Sequence, residues 1–349
     1  MKTGRIHAAF TAGMFLALSA TAQETAPTDT AQPAATETPT ITAFSITPAP
    51  DPLSSAAAVY ATYQGDVTVL EKNEFDDVDS IQAALTDLGS QNAEQLSRGW
   101  IAYSALVASQ SSEFRAAVRD IEGYYGRDAM VRGLQNDVRY ARTLNGGSTA
   151  VSAALNAGAA DAQRLQSTAD LVKEQAYSLQ AFGWAKGKLG DSGAIATKLR
   201  ADSLIGRTAS NDMTTAFRAP DFGSVLTSAG RTGAPSVWRN VSDAAGQIRG
   251  VNISNGVTGG SRRRVAPGSE QVADKIATLA AYRVLGSEGS TAAPVQSAMS
   301  ESQTTGCINM AQLNLQQCIA ATHQHFEVPF CLGEHALAEI GSCIAKVSN

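Results

Sequence analysis

The sequence lacks the features that identify most membrane-spanning proteins and many enzymes. No apolar run reaches the roughly 18 to 20 residues that cross a bilayer, so no transmembrane helix is expected in the mature chain. Aromatic residues make up only 6% of the 349 residues, and charged residues only 17%. Neither the nucleophile elbow G-x-S-x-G nor the phosphate loop G-x-x-x-x-G-K-[ST] occurs. Cysteine is absent from the first 306 residues, so any disulfide must lie near the C-terminus.

The N-terminus has the pattern of a secretory signal peptide. Lys2 and Arg5 precede a mostly apolar stretch over residues 8–18, and the small residues Ala20 and Ala22 follow. We therefore expect residues 1–22 to be removed. The mature protein is then exported to the periplasm or the cell surface, where an oxidising environment allows disulfides to form.

Composition divides the mature chain into four segments. Residues 23–53 contain six of the eleven prolines among threonine, alanine and acidic residues, which is typical of a disordered linker. Residues 54–201 carry the strongest helical pattern. Residues 202–306 are rich in Gly and Ser, basic, and partly flexible, with short helices expected over 237–248 and 269–285 and a second linker over 289–306. Residues 307–349 contain all four cysteines.

Apolar residues recur at helical spacing over residues 54–201 and predict a bundle of consecutive helices. Asp79 and Asn92 are suited to cap helix N-termini, and one long helix is expected over about 148–189, where isolated glycines are the only interior breakers. The chain contains no exact internal repeat, which favours a bundle over a solenoid. The predicted core of the bundle includes Leu96, Trp100, Phe114, Val118, Leu134, Leu165 and Phe182.

A basic run stands out within an acidic protein of net charge −5. Residues 198–264 contain ten basic and four acidic side chains, and the basic excess includes Arg262, Arg263 and Arg264. Such a run suits an anionic partner, which for an exported protein means lipid head groups, surface glycans or an acidic protein. Nucleic acid is not expected, because no stacking aromatic residues accompany the run. The alternative is that these arginines dock on the chain's own acidic helices or stay solvated.

The C-terminal cysteines predict a helical hairpin closed by two disulfides. Cys307 and Cys318 are eleven residues apart and Cys331 and Cys343 twelve apart, so each pair lies on nearly one face of a helix. In an antiparallel hairpin the nested pairing, Cys307 with Cys343 and Cys318 with Cys331, fits best of the three possible pairings. Over about 40 residues the arrangement resembles the twin-cysteine hairpins of coiled-coil-helix proteins, although the intervals here are longer. That resemblance implies a stapled hairpin.

The sequence also allows two alternative functions. His323, His325 and His335 cluster around Cys331, so the hairpin is a candidate metal or redox module, although none of the compact zinc or haem ligand spacings occurs. Glu113 and Glu122, with Tyr124 and Tyr125 nearby, form a candidate pair for a cell-wall glycan hydrolase.

The main prediction is therefore a mainly α, exported protein that binds or scaffolds without catalysis. Neither a cofactor nor a metal is expected, and the expected partner is an envelope component or a protein.

Overall fold

The computed structural model describes residues 51–209, 211–218 and 263–347. These residues belong to the compact unit Pro48–Asn349. Within the described ranges the secondary structure is helical, apart from isolated bridges such as the antiparallel one between Lys188 and Gln324. The mainly α fold class is confirmed. The predicted signal peptide, most of the proline-rich linker, the expected helix over 237–248 and Arg262 lie outside the described residues.

The helices are short to medium in length, with one long exception, α7. In chain order they are α1 (Pro52–Lys72), α2 (Val78–Gly89), α3 (Ala93–Ala108), α4 (Ser112–Tyr125), α5 (Arg127–Asn136), α6 (Tyr140–Thr143), α7 (Gly147–Leu179), α8 (Ser192–Ile205), α9 (Asn211–Arg218), α10 (Glu270–Leu285), α11 (Ala292–Met299), α12 (Ser302–Ala321), α13 (Glu327–Cys331) and α14 (Glu339–Ala345). A π-helical stretch, Leu332–Ala338, joins α13 to α14 without a break in helical backbone. None of the described helices is both long and apolar enough to span a bilayer.

Helix α3 lies at the centre of the core, and small residues let its neighbours approach closely. A side chain at Gly99 would come within 2.7 Å of the Ala56 carbonyl oxygen of α1. Trp100 is 1% exposed, and a side chain at Gly158 of α7 would come within 3.3 Å of its ring nitrogen. The start of α1 is fixed by Asp51, whose carboxylate accepts hydrogen bonds from the backbone N–H groups of Leu53 and Ser54 at 3.0 and 3.2 Å.

The hydrophobic core extends across the segments that composition distinguishes. Buried side chains of α3 and α7 share one cluster with Ile276 and Leu279 of α10 and with Ile308 and Ile340 of the C-terminal hairpin. Gly333 and Gly341 allow the hairpin to lie directly on α7, since a side chain at Gly341 would come within 3.1 Å of a carbonyl oxygen of that helix. The hairpin is therefore part of the main core of the described residues.

The predicted core is correct except at one position. Leu96, Trp100, Phe114, Val118, Leu134 and Leu165 are each no more than 2% exposed, whereas Phe182 is 52% exposed and its prediction is wrong. The reason is that α7 ends at Leu179, ten residues earlier than expected. Beyond it the chain pairs with the hairpin bend, where the Leu189 N–H donates to the His323 carbonyl oxygen at 2.9 Å.

Other local predictions shift by a few residues or fail. Asn92 caps α3 as expected, but the cap of α2 is Asp77 and not Asp79, because Asp77 and Ser80 form the reciprocal capping box. The stretch 289–306, predicted as a linker, contains α11 and the first turn of α12. Val295 and Met299 of α11 are buried in the core, and this burial stabilises a helix that composition alone does not predict.

A buried polar network joins α1 to α7. The Tyr60 hydroxyl donates to Asp161 at 2.8 Å and accepts from the Gln64 amide at 2.8 Å. Arg164, one turn beyond Asp161, donates to both oxygens of Glu71 at 2.7 and 3.0 Å. Burial raises the pKa of Asp161 to about 6, although the Tyr60 hydrogen bond and the Arg164 charge act in the opposite direction. Burial of Asp161 in its charged form therefore lowers the free energy of unfolding, because the carboxylate has lost its hydration.

Candidate functional site

The C-terminal hairpin contains two nested disulfides. The outer disulfide joins Cys307 to Cys343 and the inner disulfide joins Cys318 to Cys331, each with a Cα–Cα distance of 5.7 Å. This is the pairing that the helical spacing favours, and it leaves no free cysteine among the described residues. Because all four sulfurs are oxidised, none is a thiolate ligand for a metal.

The three histidines near Cys331 are not brought together as a metal centre. His323 is exposed, while His325 is half-buried beside the loop that follows α7. His335 lies with its Nδ1 atom 3.1 Å from a carboxylate oxygen of Glu339. Among the described residues no group of three or more histidine, cysteine, aspartate or glutamate side chains has a metal-binding arrangement. The metal-module hypothesis therefore has no ligand set in this region.

The carboxylates considered for glycan hydrolysis do not form a catalytic pair. Glu113 and Glu122 lie nine residues apart on α4, which is about 13 Å along the helix axis and beyond the roughly 5 to 9.5 Å that separate such pairs. Glu122 also bonds Arg119 and Arg127 at 2.6 and 2.7 Å. Desolvation raises the pKa of Glu122, but the hydrogen bonds and charges of Arg127 and Arg119 together outweigh it and lower the pKa overall, which is unfavourable for a general acid.

The basic run leads to a positively charged groove. Arg263 and Arg264 are exposed and line a groove of about 380 Å³ between the start of α7 and the start of α10. We name it the arginine groove, and its lining consists of Arg142, Ser148, Thr149, Val151, Ser152, Leu155, Arg263, Arg264, Val265 and Glu270. The buried Ser152 hydroxyl donates to the Arg263 carbonyl oxygen at 3.2 Å and holds the segment before α10 against α7.

Two helix N-termini converge on the arginine groove without side-chain caps. Gly146 precedes α7 with a left-handed φ of 76°, and no side chain accepts from the first turn of this helix. A larger residue at Gly146 would collide with the Phe114 backbone nitrogen, only 2.6 Å from the position of a Cβ atom. Ser269 precedes α10, again with no side-chain cap. Each helix N-terminus carries the equivalent of about half a positive charge, and free N–H groups there favour anions.

The arginines of the groove differ in how they are paired. Arg142 forms an ion pair with the buried Asp274. Arg263 and Arg264 have no carboxylate partner in the described part of the chain, and Glu270 is the carboxylate that lines the groove. With two unpaired arginines, two helix N-termini and one carboxylate, the site carries a net positive charge and is complementary to an anion.

Sequence reasoning identified Arg263 and Arg264 but missed Arg142, Ser148 and Thr149. These residues lie more than 110 positions earlier in the chain, and only the tertiary fold places them in the same groove. One local signal was present, since the Gly146-Gly147 start of a long helix offers no capping side chain. A helix of 33 residues with an uncapped and accessible start is a candidate anion site.

Comparison with known proteins finds no matching family model, no matching curated protein and no matching solved structure.

Proposed function

We propose that this protein is an exported, non-catalytic binding module that attaches to an anionic component of the cell envelope through the arginine groove. The observation that carries the proposal is the convergence of two uncapped helix N-termini with the unpaired Arg263 and Arg264. Guanidinium groups and backbone N–H groups together suit the oxygens of a phosphate or carboxylate group. The two disulfides of the hairpin are consistent with an oxidising compartment outside the cytosol.

The side chains that line the groove support binding over catalysis. It contains donors and positive charge, but its one lining carboxylate, Glu270, is exposed and has no neighbouring histidine or second carboxylate for proton transfer among the described lining residues. Attachment to a repeating anionic surface, such as lipid head groups or an acidic glycan, needs only this kind of electrostatic complementarity.

Co-sedimentation with vesicles tests the proposal directly. The mature protein should bind vesicles that contain an anionic phospholipid, should bind zwitterionic vesicles poorly, and should be released as salt rises, because exposed charges are screened over about 8 Å at physiological ionic strength. Replacing Arg263 and Arg264 with glutamine should lower the vesicle-bound fraction several-fold, since each basic residue near such a surface contributes about 1 kcal/mol.

A matched double variant controls for net charge. Arg132 and Arg200 are exposed arginines that line no groove of the described residues and have no ion-pair partner there. Arg132→Gln with Arg200→Gln therefore makes the same change in net charge and should leave the bound fraction close to that of the parent. Equal losses in the two double variants would show that binding follows overall charge and not the groove. If the protein does not bind the vesicles but binds a soluble acidic glycan, the glycan is the partner.

A further inference from the structure

The opposite end of α7 carries a second groove of different chemistry. This groove has a volume of about 330 Å³ and lies between the last turn of α7 and the bend of the hairpin. Tyr177 and Phe330 form its rim, 63% and 39% exposed, with ring centroids 6.2 Å apart and ring planes at 71°. Phe326 and the inner disulfide form further parts of the wall. We name it the aromatic groove.

Exposed aromatic residues are concentrated at this end of the molecule. The protein has 21 aromatic residues, and among those described only five are strongly exposed, of which Tyr177, Phe182 and Phe330 lie near the aromatic groove. Phe182 packs against Trp184, 6.5 Å between centroids, just outside the lining. A cluster of exposed aromatic side chains next to a concave surface marks a binding site, because their burial by a ligand removes apolar area from water.

The electrostatics of the aromatic groove are negative. Glu327 is the one charged residue among the described lining residues, and no lysine or arginine lines the groove. Its carboxylate accepts the backbone N–H groups of His323 and Gln324, which hold it in place at the bend. The C-termini of α7 and α12 both end at the lining, at Gln180 and Thr322, and each contributes about half a negative charge, whereas the N-terminus of α13 begins there and contributes about half a positive charge. With the Glu327 carboxylate the sum stays negative.

The size of the groove restricts what it can bind. Its ten lining residues are well below the roughly 20 to 30 residues a side in a stable protein interface. The volume is at the lower end of the range for small-molecule sites, about 300 to 1,000 Å³. The occupant is therefore a small molecule or a small group of a larger one.

Aromatic ring faces beside a carboxylate are suited to bind a methylated ammonium group. A methylated ammonium has a positive charge spread over an apolar surface, so it contacts ring faces by cation–π attraction and needs no hydrogen-bond acceptor. An anion is disfavoured by Glu327 and by two helix C-termini, and a sugar would find few polar partners in this lining. We propose that the aromatic groove binds the methylated ammonium group of a small organic cation.

Titration with choline and its uncharged isostere dimethylbutanol tests the proposal. The two probes have nearly the same shape and differ in charge, so a cation–π site should bind choline measurably more tightly, by about fivefold or more. Binding is followed by calorimetry and by broadening of the N-methyl proton signal in NMR spectra. If dimethylbutanol binds as well as choline, or if choline does not bind the folded protein, the proposal is wrong.

Three variants locate the binding to the groove. Tyr177→Ala and Phe330→Ala should each weaken choline binding about fivefold, whereas Tyr177→Phe, which keeps the ring, should bind like the parent. Tyr124→Ala removes an exposed aromatic residue of α4, which does not line the groove, and should leave the affinity unchanged. Circular dichroism confirms that each variant is folded. Loss of binding in Tyr124→Ala alone, or retention in both rim variants, would contradict the assignment. The arginine groove plays no part in this test, so the two proposals can fail separately.

Discussion

Replacement of the buried Asp161 by asparagine should remove a pH dependence from the stability of this protein. Asp161 is 3% exposed, and its carboxylate accepts from the neutral Tyr60 hydroxyl. Arg164, whose charge acts on Asp161, donates hydrogen bonds to Glu71 and not to Asp161. Burial therefore raises the pKa of Asp161 from 3.8 to about 6, against smaller opposing effects of the Tyr60 hydrogen bond and the Arg164 charge.

The sign of the effect follows from proton linkage. The folded state binds the Asp161 proton more tightly than the unfolded state does, so the free energy of unfolding rises as pH falls through 6 and levels off below about 4. The full gain is about 3 kcal/mol, of which about 2 kcal/mol is reached by pH 4.5. Asp161→Asn cannot titrate and should lose this gain.

Urea unfolding followed by circular dichroism, at about pH 7.5 and about pH 4.5, measures the difference. Other buried carboxylates contribute in the same direction, since burial raises the pKa of Asp66 to about 7 despite the nearby charge of Arg207. The quantity to compare is therefore the change with pH in the parent minus that in Asp161→Asn. The exposed Asp76→Asn variant should behave like the parent. Identical pH dependence in parent and Asp161→Asn would refute the reasoning.

Three further predictions concern the core, the disulfides and export. Trp100→Ala should cost about 3 to 5 kcal/mol of unfolding free energy, whereas the exposed Phe182→Ala should change it by no more than about 0.5 kcal/mol; comparable urea midpoints for the two variants would contradict the core described above. Replacing the outer disulfide with serines should cost more than replacing the inner one, by about 1 kcal/mol, because the closed loops span 36 and 13 residues; the reverse order in denaturant midpoints would contradict this estimate of loop entropy. N-terminal sequencing of exported protein should begin at Gln23, and an intact Met1 would mean that the segment is not cleaved.

The sequence alone determined the features that depend on near neighbours. Helical spacing of apolar residues predicted the helices of residues 54–201, and Asn92 caps its helix as expected, because a cap interacts with backbone groups two or three positions away. The cysteine spacing favoured the nested disulfides for the same reason, since eleven or twelve residues return a helix to nearly the same face.

Tertiary structure decided where these helices end and which residues they bring into contact. Residues 180–190 have a helical pattern, yet they leave the helix to pair with the hairpin bend, and this exposes Phe182. The stretch 289–306 has the composition of a linker, yet burial of Val295 and Met299 makes part of it helical. In both places contacts with distant residues outweigh local preference, which is worth only a few tenths of a kcal/mol per residue.

The two candidate sites depend on tertiary structure to an even greater degree. Ser152 and Arg263, which meet in the arginine groove, are 111 residues apart in the chain. Tyr177 and Phe330, which meet at the aromatic groove, are separated by more than 150. The sequence showed a run of arginines and a histidine-rich hairpin but could not show which helix ends lie beside them. Close packing of small residues against α3 and α7 sets those positions, because it fixes how near each helix can approach its neighbours.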